Sequence, residues 1–389
     1  MTFSENLMAA LAGEYHEGIP FFADLSWHYS AMEAQNRLNP KYFGPTGYLQ
    51  YHIDLGVGIF VYTPFVWKTI ENNYELSVET FNAKSSNISG NKCGHKLSDK
   101  LNYNSGEYVI KTLKTPLGQL REVSKYLPDS YTYAITEHYI KTIDDLRIMT
   151  YIAENTIYEA DYEPFNEIAA LWGDSGVAAA IAQLGVSPLQ RMLTRWAGVE
   201  NTCFILADDG DEAEELFERI AIADDPVYDI LAHCPAKYIE FPDNLSSEIT
   251  GVSNFKKYNT AIYKKRINLL HNAGKFVGIH QDGTLHGCLE LLKGCGFDAV
   301  ESVTPAPVGD ISLDSLRTAA GDIVIWGGLP GVMFSPLYSE DDFRKHLDDV
   351  IFHFGKDKRF VLGTADQIPP DGLLSRVAYA AERIRNINL

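Results

Sequence analysis

From about residue 164 onward, short apolar runs alternate with amphipathic stretches, and this alternation narrows the choice of fold. Repeated strand-then-helix units of this length are typical of parallel strands joined by right-handed crossovers. With an early strand near residue 21, the number of strands approaches the eight of a (β/α)8 TIM barrel. No Gly-x-Gly-x-x-Gly follows any predicted strand, which removes the usual dinucleotide-binding reason for an open sheet. The predicted strands are Phe21–Leu25, Val177–Ala182, Tyr238–Phe241, 275–280, Ala299–Val303, Ile323–Trp326 and Phe360–Leu362, and the predicted helices between them include 285–293, Leu313–Ala319 and Asp341–Phe354.

The segment 72–136 has a different character, because it is polar and its apolar residues alternate with a period of two. Such alternation predicts antiparallel strands, here Glu107–Leu113, Gln119–Tyr126 and Tyr131–Thr136. The residues 115–118, Thr-Pro-Leu-Gly, fit a turn between the first two. We interpret the chain as one barrel domain, 1–389, with a β-rich insertion at 72–136 that could cover the barrel mouth. A solvated loop is the alternative interpretation.

The charge of the chain excludes several classes of partner. The formal net charge is −19 and the pI is about 5.0, which opposes binding to nucleic acid or to anionic membrane surfaces. No apolar run approaches the roughly 18–20 residues of a membrane span. The first 18 residues include acidic residues but no Lys or Arg, unlike a signal or transit peptide. We therefore expect a cytoplasmic protein that acts on a small-molecule substrate.

The run from Lys275 to Asp282 is apolar and ends in a histidine and a carboxylate two residues apart. Alternation along a strand would place His280 and Asp282 on the same face. A helix-like segment follows, so the pair lies where a strand meets a helix, the end at which α/β enzymes usually build their sites. The alternative is a pair that only satisfies backbone groups.

Glu301 is a carboxylate inside the otherwise apolar strand Ala299–Val303. A lone Glu on a strand usually faces solvent, but both faces of a parallel barrel strand are covered. Burial without a partner would be costly, so a functional partner is expected for this residue.

Five segments resemble, in order and spacing, motifs of the uroporphyrinogen decarboxylase superfamily, which also contains cobalamin-dependent methyltransferases. They are Pro20–Leu25, Ile279–Gly283, Gly296–Val300, Ile325–Gly328 and Gly363–Asp371. The resemblance covers residues 160–385 well and 19–60 weakly. It implies a (β/α)8 barrel, in agreement with the pattern of strands, and it places a functional histidine at His280.

Decarboxylases of this family hold a tetrapyrrole with eight carboxylates through arginines near the N-terminus. Here the first Lys or Arg is Arg37. Binding many carboxylates without such cations would be strongly unfavourable, so the haem-pathway reaction is not expected. Asp24 corresponds to the family's pyrrole-facing carboxylate, although its neighbours differ. It is the third catalytic candidate, beside His280 and Glu301.

The methyltransferases of the family hold zinc through His-x-Cys and a distant Cys. This chain has His280 and Asp282 at the first pair and Thr364–Asp366 at the distant position, so both thiol ligands are missing. A site made of His280, Asp282, Glu301 and Asp366 would suit zinc first, and also manganese or iron. A hydrogen-bonded network without metal is the alternative.

The resemblance favours a methyltransferase-type enzyme that moves a methyl group between a small substrate and a corrinoid carried by a separate protein. Trp27, His28, Tyr29 and Trp326 are candidates for an aromatic substrate-binding wall, although aromatic residues near strand ends more often serve packing. Decarboxylation of uroporphyrinogen or of a smaller acid, and a non-catalytic binding barrel, are the alternatives.

Overall fold

The computed structural model describes residues 1–14, 17–60, 63–82, 85–90 and 107–387. Its strands are β1 Phe21–Asp24, β2 Gly58–Ile59, β3 Trp67–Glu71, β4 Glu75–Asn82, β5 Ser85–Gly90, β6 Tyr108–Thr115, β7 Gly118–Leu127, β8 Thr132–Glu137, β9 Thr156–Ala160, β10 Ala180–Ile181, β11 Tyr238–Phe241, β12 Phe276–His280, β13 Ala299–Val303, β14 Val324–Pro330 and β15 Phe360–Gln367. Its helices are α1 Phe3–Ala12, α2 Ser26–Ala34, α3 Gly47–Leu55, α4 Ile143–Glu154, α5 Glu163–Trp172, α6 Pro188–Arg191, α7 Gly198–Asp208, α8 Gly210–Ala223, α9 Asp225–His233, α10 Ser247–Thr250, α11 Val252–Asn254, α12 Thr260–Asn272, α13 Leu289–Leu292, α14 Leu313–Ala320, α15 Glu340–Phe354 and α16 Leu374–Arg385. In the described part of the chain, no helix combines the length and apolar character needed to cross a membrane.

The main sheet has eight strands in the order β10-β11-β12-β13-β14-β15-β1-β2, and its neighbouring strands pair in parallel. A parallel bridge joins Ile59 in β2, at one edge of this curled sheet, to Gly176, which precedes β10 in the chain. Glycine permits the approach, because a Cβ on Gly176 would lie 2.1 Å from the Ile59 carbonyl oxygen. The predicted α/β class with a parallel, TIM-like sheet is confirmed.

The ends of several elements differ from the prediction. Strands β11 and β13 have the predicted bounds, but β10 contains only two residues of the predicted strand Val177–Ala182. The predicted helix 285–293 is wrong over its first part, because only Leu289–Leu292 is α-helical. Gly287 adopts a φ of +99°, which is incompatible with a continuous helix. Strand β2 was not predicted, since two residues are too few to show a period.

Alternation along the strands gives the main sheet two apolar faces. On the inner face, Phe22, Tyr238, Ala299 and Trp326 pack with residues of α1 in one apolar cluster. The intervening residues face the surrounding helices in the larger core. Two residues further along β1, β11 and β13, the inner face continues with Asp24, Glu240 and Glu301, and β12 adds His280 in the same way. The inner face therefore has an apolar layer and, nearer the C-terminal ends of the strands, a polar layer.

The insertion folds as an antiparallel sheet in the order β5-β4-β6-β7-β8, and β3 pairs separately with β9. The three predicted strands are confirmed as β6, β7 and β8, with Thr115 and Gly118 closing the turn. Residues 83–84 and 91–106 of the predicted insertion lie outside the described residues. The insertion contacts the main domain where the Trp27 indole N–H donates to the Ser130 carbonyl oxygen at 2.7 Å.

A buried polar network lies on the outer side of the main sheet, around Asp224 between α8 and α9. Arg191 Nη2 contacts Asp224 Oδ2 at 2.5 Å, and Gln183 donates to Oδ1 at 2.8 Å. Arg266 Nη2 approaches the same carboxylate at 3.9 Å. The Arg191 and Asp224 side chains are 8% and 1% exposed. This ion pair contributes to the fold only while both partners are present.

Candidate active site

His280 and Glu301 form the centre of the site. Their backbones are paired directly across β12 and β13, so both side chains leave the inner face at the same level. His280 Nδ1 and Glu301 Oε2 are 2.6 Å apart, and the two residues are only 7% and 5% exposed. This buried imidazole–carboxylate pair, called the dyad below, gives Glu301 the partner that its position in an apolar strand requires.

The dyad is charged at neutral pH. Burial alone would lower the pKa of His280, but the charge and hydrogen bond of Glu301, together with Asp366 and Asp282, raise the pKa to about 10. The imidazolium therefore donates Nδ1–H to Glu301. The folded-state pKa exceeds the ordinary histidine value of about 6.5. The pairing of His280 with Glu301 therefore stabilises the fold fully at pH values below about 6.5. This stabilisation is lost as the pH rises through about 10.

Asp366 and Asp282 lie near the dyad and are electrostatically coupled to it. Burial, and then the charge of Asp282, raise the pKa of Asp366 to about 6, although His280 opposes the shift. Asp366 N donates to Ser302 Oγ at 2.6 Å. Asp366 and Ser302 both adopt left-handed backbone conformations, with φ of +63° and +67° respectively. Such conformations are costly in residues with a Cβ and are concentrated at functional sites.

A cavity of about 390 Å³ opens beside these carboxylates. Asp282 and Asp366 contribute to its wall, and Trp27 from the start of α2 is another of its lining residues. The volume suits a small organic molecule. The remaining lining residues are Gly283, Thr304, Val308, Pro330, Gly331, Val332, Ser335, Leu337, Ala365, Gln367, Pro369 and Asp371.

Asp24, the third catalytic candidate, lies at the end of β1 and is partly buried. Its Oδ1 accepts the backbone N–H of Ser26 at 2.8 Å, and its Oδ2 accepts Gln367 Nε2 at 3.2 Å. Burial raises the pKa of Asp24, and the hydrogen bonds from Ser26 and Gln367 oppose that shift. Its charge also acts on Asp366, so it belongs to the same group of carboxyls.

Three of the four predicted substrate-binding residues lie in packed surroundings away from the cavity lining. His28 Nδ1 and the Tyr51 hydroxyl are 2.9 Å apart, and Tyr29 donates to the Tyr42 carbonyl oxygen at 2.6 Å. Trp326 is 1% exposed and belongs to the apolar cluster that includes residues of α1. Trp27 alone among the four lines the cavity. The sequence shows that these residues carry rings, but it does not show which face of its helix or strand each ring occupies.

Glu240 was missed by the sequence analysis, although it is the most deeply buried acid of the inner face. It is fully buried and accepts the hydroxyl of Tyr238 on Oε2, while its Oε1 is buried without a hydrogen-bond partner among the described residues. Burial, and then the charge of Glu301, raise the pKa of Glu240 well above its usual range. The signal was a carboxylate within the apolar strand Tyr238–Phe241, as at Glu301.

Gly278 makes room for the Glu240 carboxyl, and we predict that alanine there will disturb it. The two residues are paired across β11 and β12. An alanine Cβ would lie 1.8 Å from Tyr238 Oη and 2.7 Å from Glu240 Oε2. We expect Gly278→Ala to lower the free energy of unfolding by about 1–3 kcal/mol, measured by urea denaturation. Gly210→Ala is the matched control, because a Cβ there meets nothing within 4 Å. Equal stability of the two variants would contradict this account of Gly278.

The side chains around the dyad are not grouped around a common point as metal ligands would be in the described part of the chain. Among the described residues, no group of three or more His, Cys, Asp and Glu side chains is arranged to hold a metal ion. The nearest candidates are occupied with each other, since Glu301 binds the Nδ1 side of His280. The metal site predicted at His280, Asp282, Glu301 and Asp366 stays a prediction.

Comparison with known proteins gives a fold but no family. No protein-family model matches the chain, and no curated protein matches it in sequence. A methyltransferase from Methanosarcina mazei is similar in structure over 99% of both chains, with a TM-score of 0.58 at 14% sequence identity. At that identity the similarity establishes the fold alone. A putative vitamin-B12 independent methionine synthase from Listeria monocytogenes matches 58% of this chain and 68% of its own, at 13% identity and a TM-score of 0.31, which is too distant to support an argument.

Proposed function

We propose that this protein is a methyltransferase-type enzyme of the uroporphyrinogen decarboxylase-like superfamily, folded as a closed (β/α)8 barrel. It would move a methyl group between a small substrate in the cavity and a corrinoid carried by a separate protein. The observation that carries the proposal is the buried His280, paired with Glu301 at 2.6 Å and electrostatically coupled to the carboxylates of the cavity wall. The fold shared with a solved methyltransferase supports it.

His280 would act as the general acid of the reaction. When the bond between the methyl carbon and its heteroatom breaks, the methyl group leaves to an electron pair of the acceptor, and the heteroatom keeps the pair of the broken bond. The imidazolium would then give its proton to that heteroatom, which leaves as an anion from a neutral donor or as a basic amine from an ammonium donor. Glu301 would hold the ring through Nδ1 and favour its charged form before transfer.

The residues around the dyad would return the proton. After transfer, a neutral imidazole would remain beside Glu301. Asp366, whose pKa is about 6, and Asp282 line the cavity and act electrostatically on His280. A carboxyl with such a pKa exchanges protons readily near neutral pH. Reprotonation of His280 by way of Asp366 and Asp282 would return the ring to its acid form for the next substrate.

The proposal is tested with a free corrinoid, reduced to its cobalt(I) state, as a stand-in for the partner's corrinoid. The protein is incubated with methylated amines, methyl ethers and methyl thioethers, and loss of each donor is followed by NMR against a reaction without protein. We expect protein-dependent demethylation of at least one donor class. A parallel incubation with uroporphyrinogen III should give no coproporphyrinogen, because none of the described residues lining the cavity is Lys or Arg. Coproporphyrinogen formation, or inactivity toward every donor, would overturn the proposal.

A further inference from the structure

The cavity wall carries three carboxylates and no compensating cation in its described lining. Asp282, Asp366 and Asp371 lie around one space, and none of the other described lining residues is Lys or Arg. His280, whose charge acts on Asp366, is already paired with Glu301. The dyad is therefore close to neutral as a unit, and the negative charge of the wall is left for an occupant to balance.

The hydrogen bonds of these carboxylates leave part of that charge unsatisfied. Asp371 accepts the hydroxyl of Ser335 at 2.7 Å, and Asp282 accepts the neighbouring Gly283 N–H. In the described part of the chain, the Asp366 carboxylate takes part in no hydrogen bond or ion pair, although its backbone is held by Ser302. A carboxylate kept at a cavity wall without a donor is suited to receive one from a ligand.

The aromatic residue of the cavity lining, Trp27, is held in place. Trp27 lines the cavity, and its indole N–H is already bonded to the Ser130 carbonyl oxygen. The ring is therefore held in place and has no further donor to offer to a ligand. A held indole beside carboxylates is the combination that proteins use for ammonium groups, because the ring and the carboxylates both attract positive charge.

We infer that the cavity binds a small organic cation, a protonated or quaternary ammonium compound, and excludes small carboxylates. This inference rests on the proposed function in so far as the cation would be the methyl-bearing substrate or its product. The ammonium group would lie between Trp27 and the carboxylates of Asp282 and Asp366. A carboxylate ligand in the same place would meet like charges without a donor to offset them.

The binding test uses three ligands of nearly the same shape that differ in charge. They are choline, the neutral 3,3-dimethylbutan-1-ol and the anion 3,3-dimethylbutanoate, measured by saturation-transfer NMR and calorimetry at low salt. We expect choline to bind about tenfold or more tightly than the neutral compound, and the anion to show no binding. Equal affinity for choline and the alcohol, or tighter binding of the anion, would overturn the inference.

A variant of Asp366 and a matched control show whether the charge of Asp366 itself is needed for choline binding. Asp366→Asn should weaken choline binding by about tenfold and leave binding of the neutral alcohol unchanged. Asp322→Asn is the matched control, since it removes the same charge from an exposed residue at the other end of β14. If both variants weaken choline binding equally, the effect is one of net charge and the cavity is not the site.

Binding and turnover separate this inference from the proposed function. If choline binds with these preferences but no donor is demethylated, the inference stands and the methyltransferase proposal fails. If neutral donors are demethylated while the choline series shows no preference, the methyltransferase proposal stands and the inference fails.

Discussion

Replacing His280 by alanine should lower the rate of methyl transfer by about 10²- to 10⁴-fold, the range that a positioned general acid contributes. The same change leaves the Glu301 carboxylate buried without its cation. We therefore also expect a loss of about 3–5 kcal/mol in the free energy of unfolding. The rate of methyl transfer is measured with the methyl donor that proves active, and the free energy of unfolding is measured by urea denaturation.

His346→Ala is the control that separates the two effects. His346 is also a buried histidine, 6% exposed, and its Nε2 lies 2.8 Å from the Gly328 carbonyl oxygen. It contacts no member of the dyad in the described hydrogen bonds. Its removal should cost stability, about 1–3 kcal/mol, with the turnover of folded protein unchanged. Equal loss of turnover in both variants would mean that His280 acts through the fold.

Glu301→Gln tests the charge of the dyad without removing the ring. Without the anionic partner, the pKa of His280 should fall from about 10 toward its ordinary value of about 6.5. The protonated fraction at pH 8 would then be small, and activity that needs the acid form would be lost at a lower pH than in the wild type. The His280 pKa is read by NMR of the ring nitrogens. An unshifted pKa would show that Glu301 does not hold the proton.

Replacing Arg191 by methionine should have the second large effect, on stability alone. It would leave Asp224, 1% exposed, with Gln183, the Tyr158 hydroxyl at 3.4 Å and the more distant Arg266 as its partners. An uncompensated buried charge of this kind costs about 3–5 kcal/mol, measured by urea denaturation. The double change Arg191→Met with Asp224→Leu should cost less than the single change, because it removes both charges.

A surface ion pair provides the comparison for Arg191. Arg219 contacts Glu154 at 2.8 Å, but the two side chains are 45% and 36% exposed. Arg219→Met should change stability by less than about 1 kcal/mol. If the two arginine variants are equally stable, burial is not what makes the pair around Asp224 important.

Sequence patterns predicted the strands that are bounded on both sides by turns, and they were least accurate where elements are short. The bounds of β11 and β13 were correct because each is an apolar run with polar flanks. In contrast, β2 has two residues and no pattern, and its place is set by pairing with β1. The left-handed conformations of Ser302 and Asp366 could not be predicted either, because neither residue is a glycine.

The candidate site was partly accessible to sequence reasoning. Glu301 was recognised because a charge inside an apolar strand needs a partner, and its pairing with His280 follows from the register of β12 and β13. Glu240 carried the same signal and was not chosen, since the sequence does not reveal that Gly278 lies opposite and leaves it space. Which aromatic ring faces the cavity depends on helix α2 and its contact with the insertion, and neither was readable from composition.

The contact between the insertion and Trp27 has a consequence for how this protein can change over evolution. The acceptor at residue 130 is a main-chain carbonyl, so any amino acid there can hold the indole. Tyr131, the next residue, turns the chain with a φ of +56°. Substitutions at the surface of this turn should therefore be tolerated, whereas a one-residue insertion or deletion would move the carbonyl and release the ring. Evolution should therefore preserve the length of the turn between β7 and β8 more strictly than its composition, because that length keeps Trp27 in place in the cavity wall.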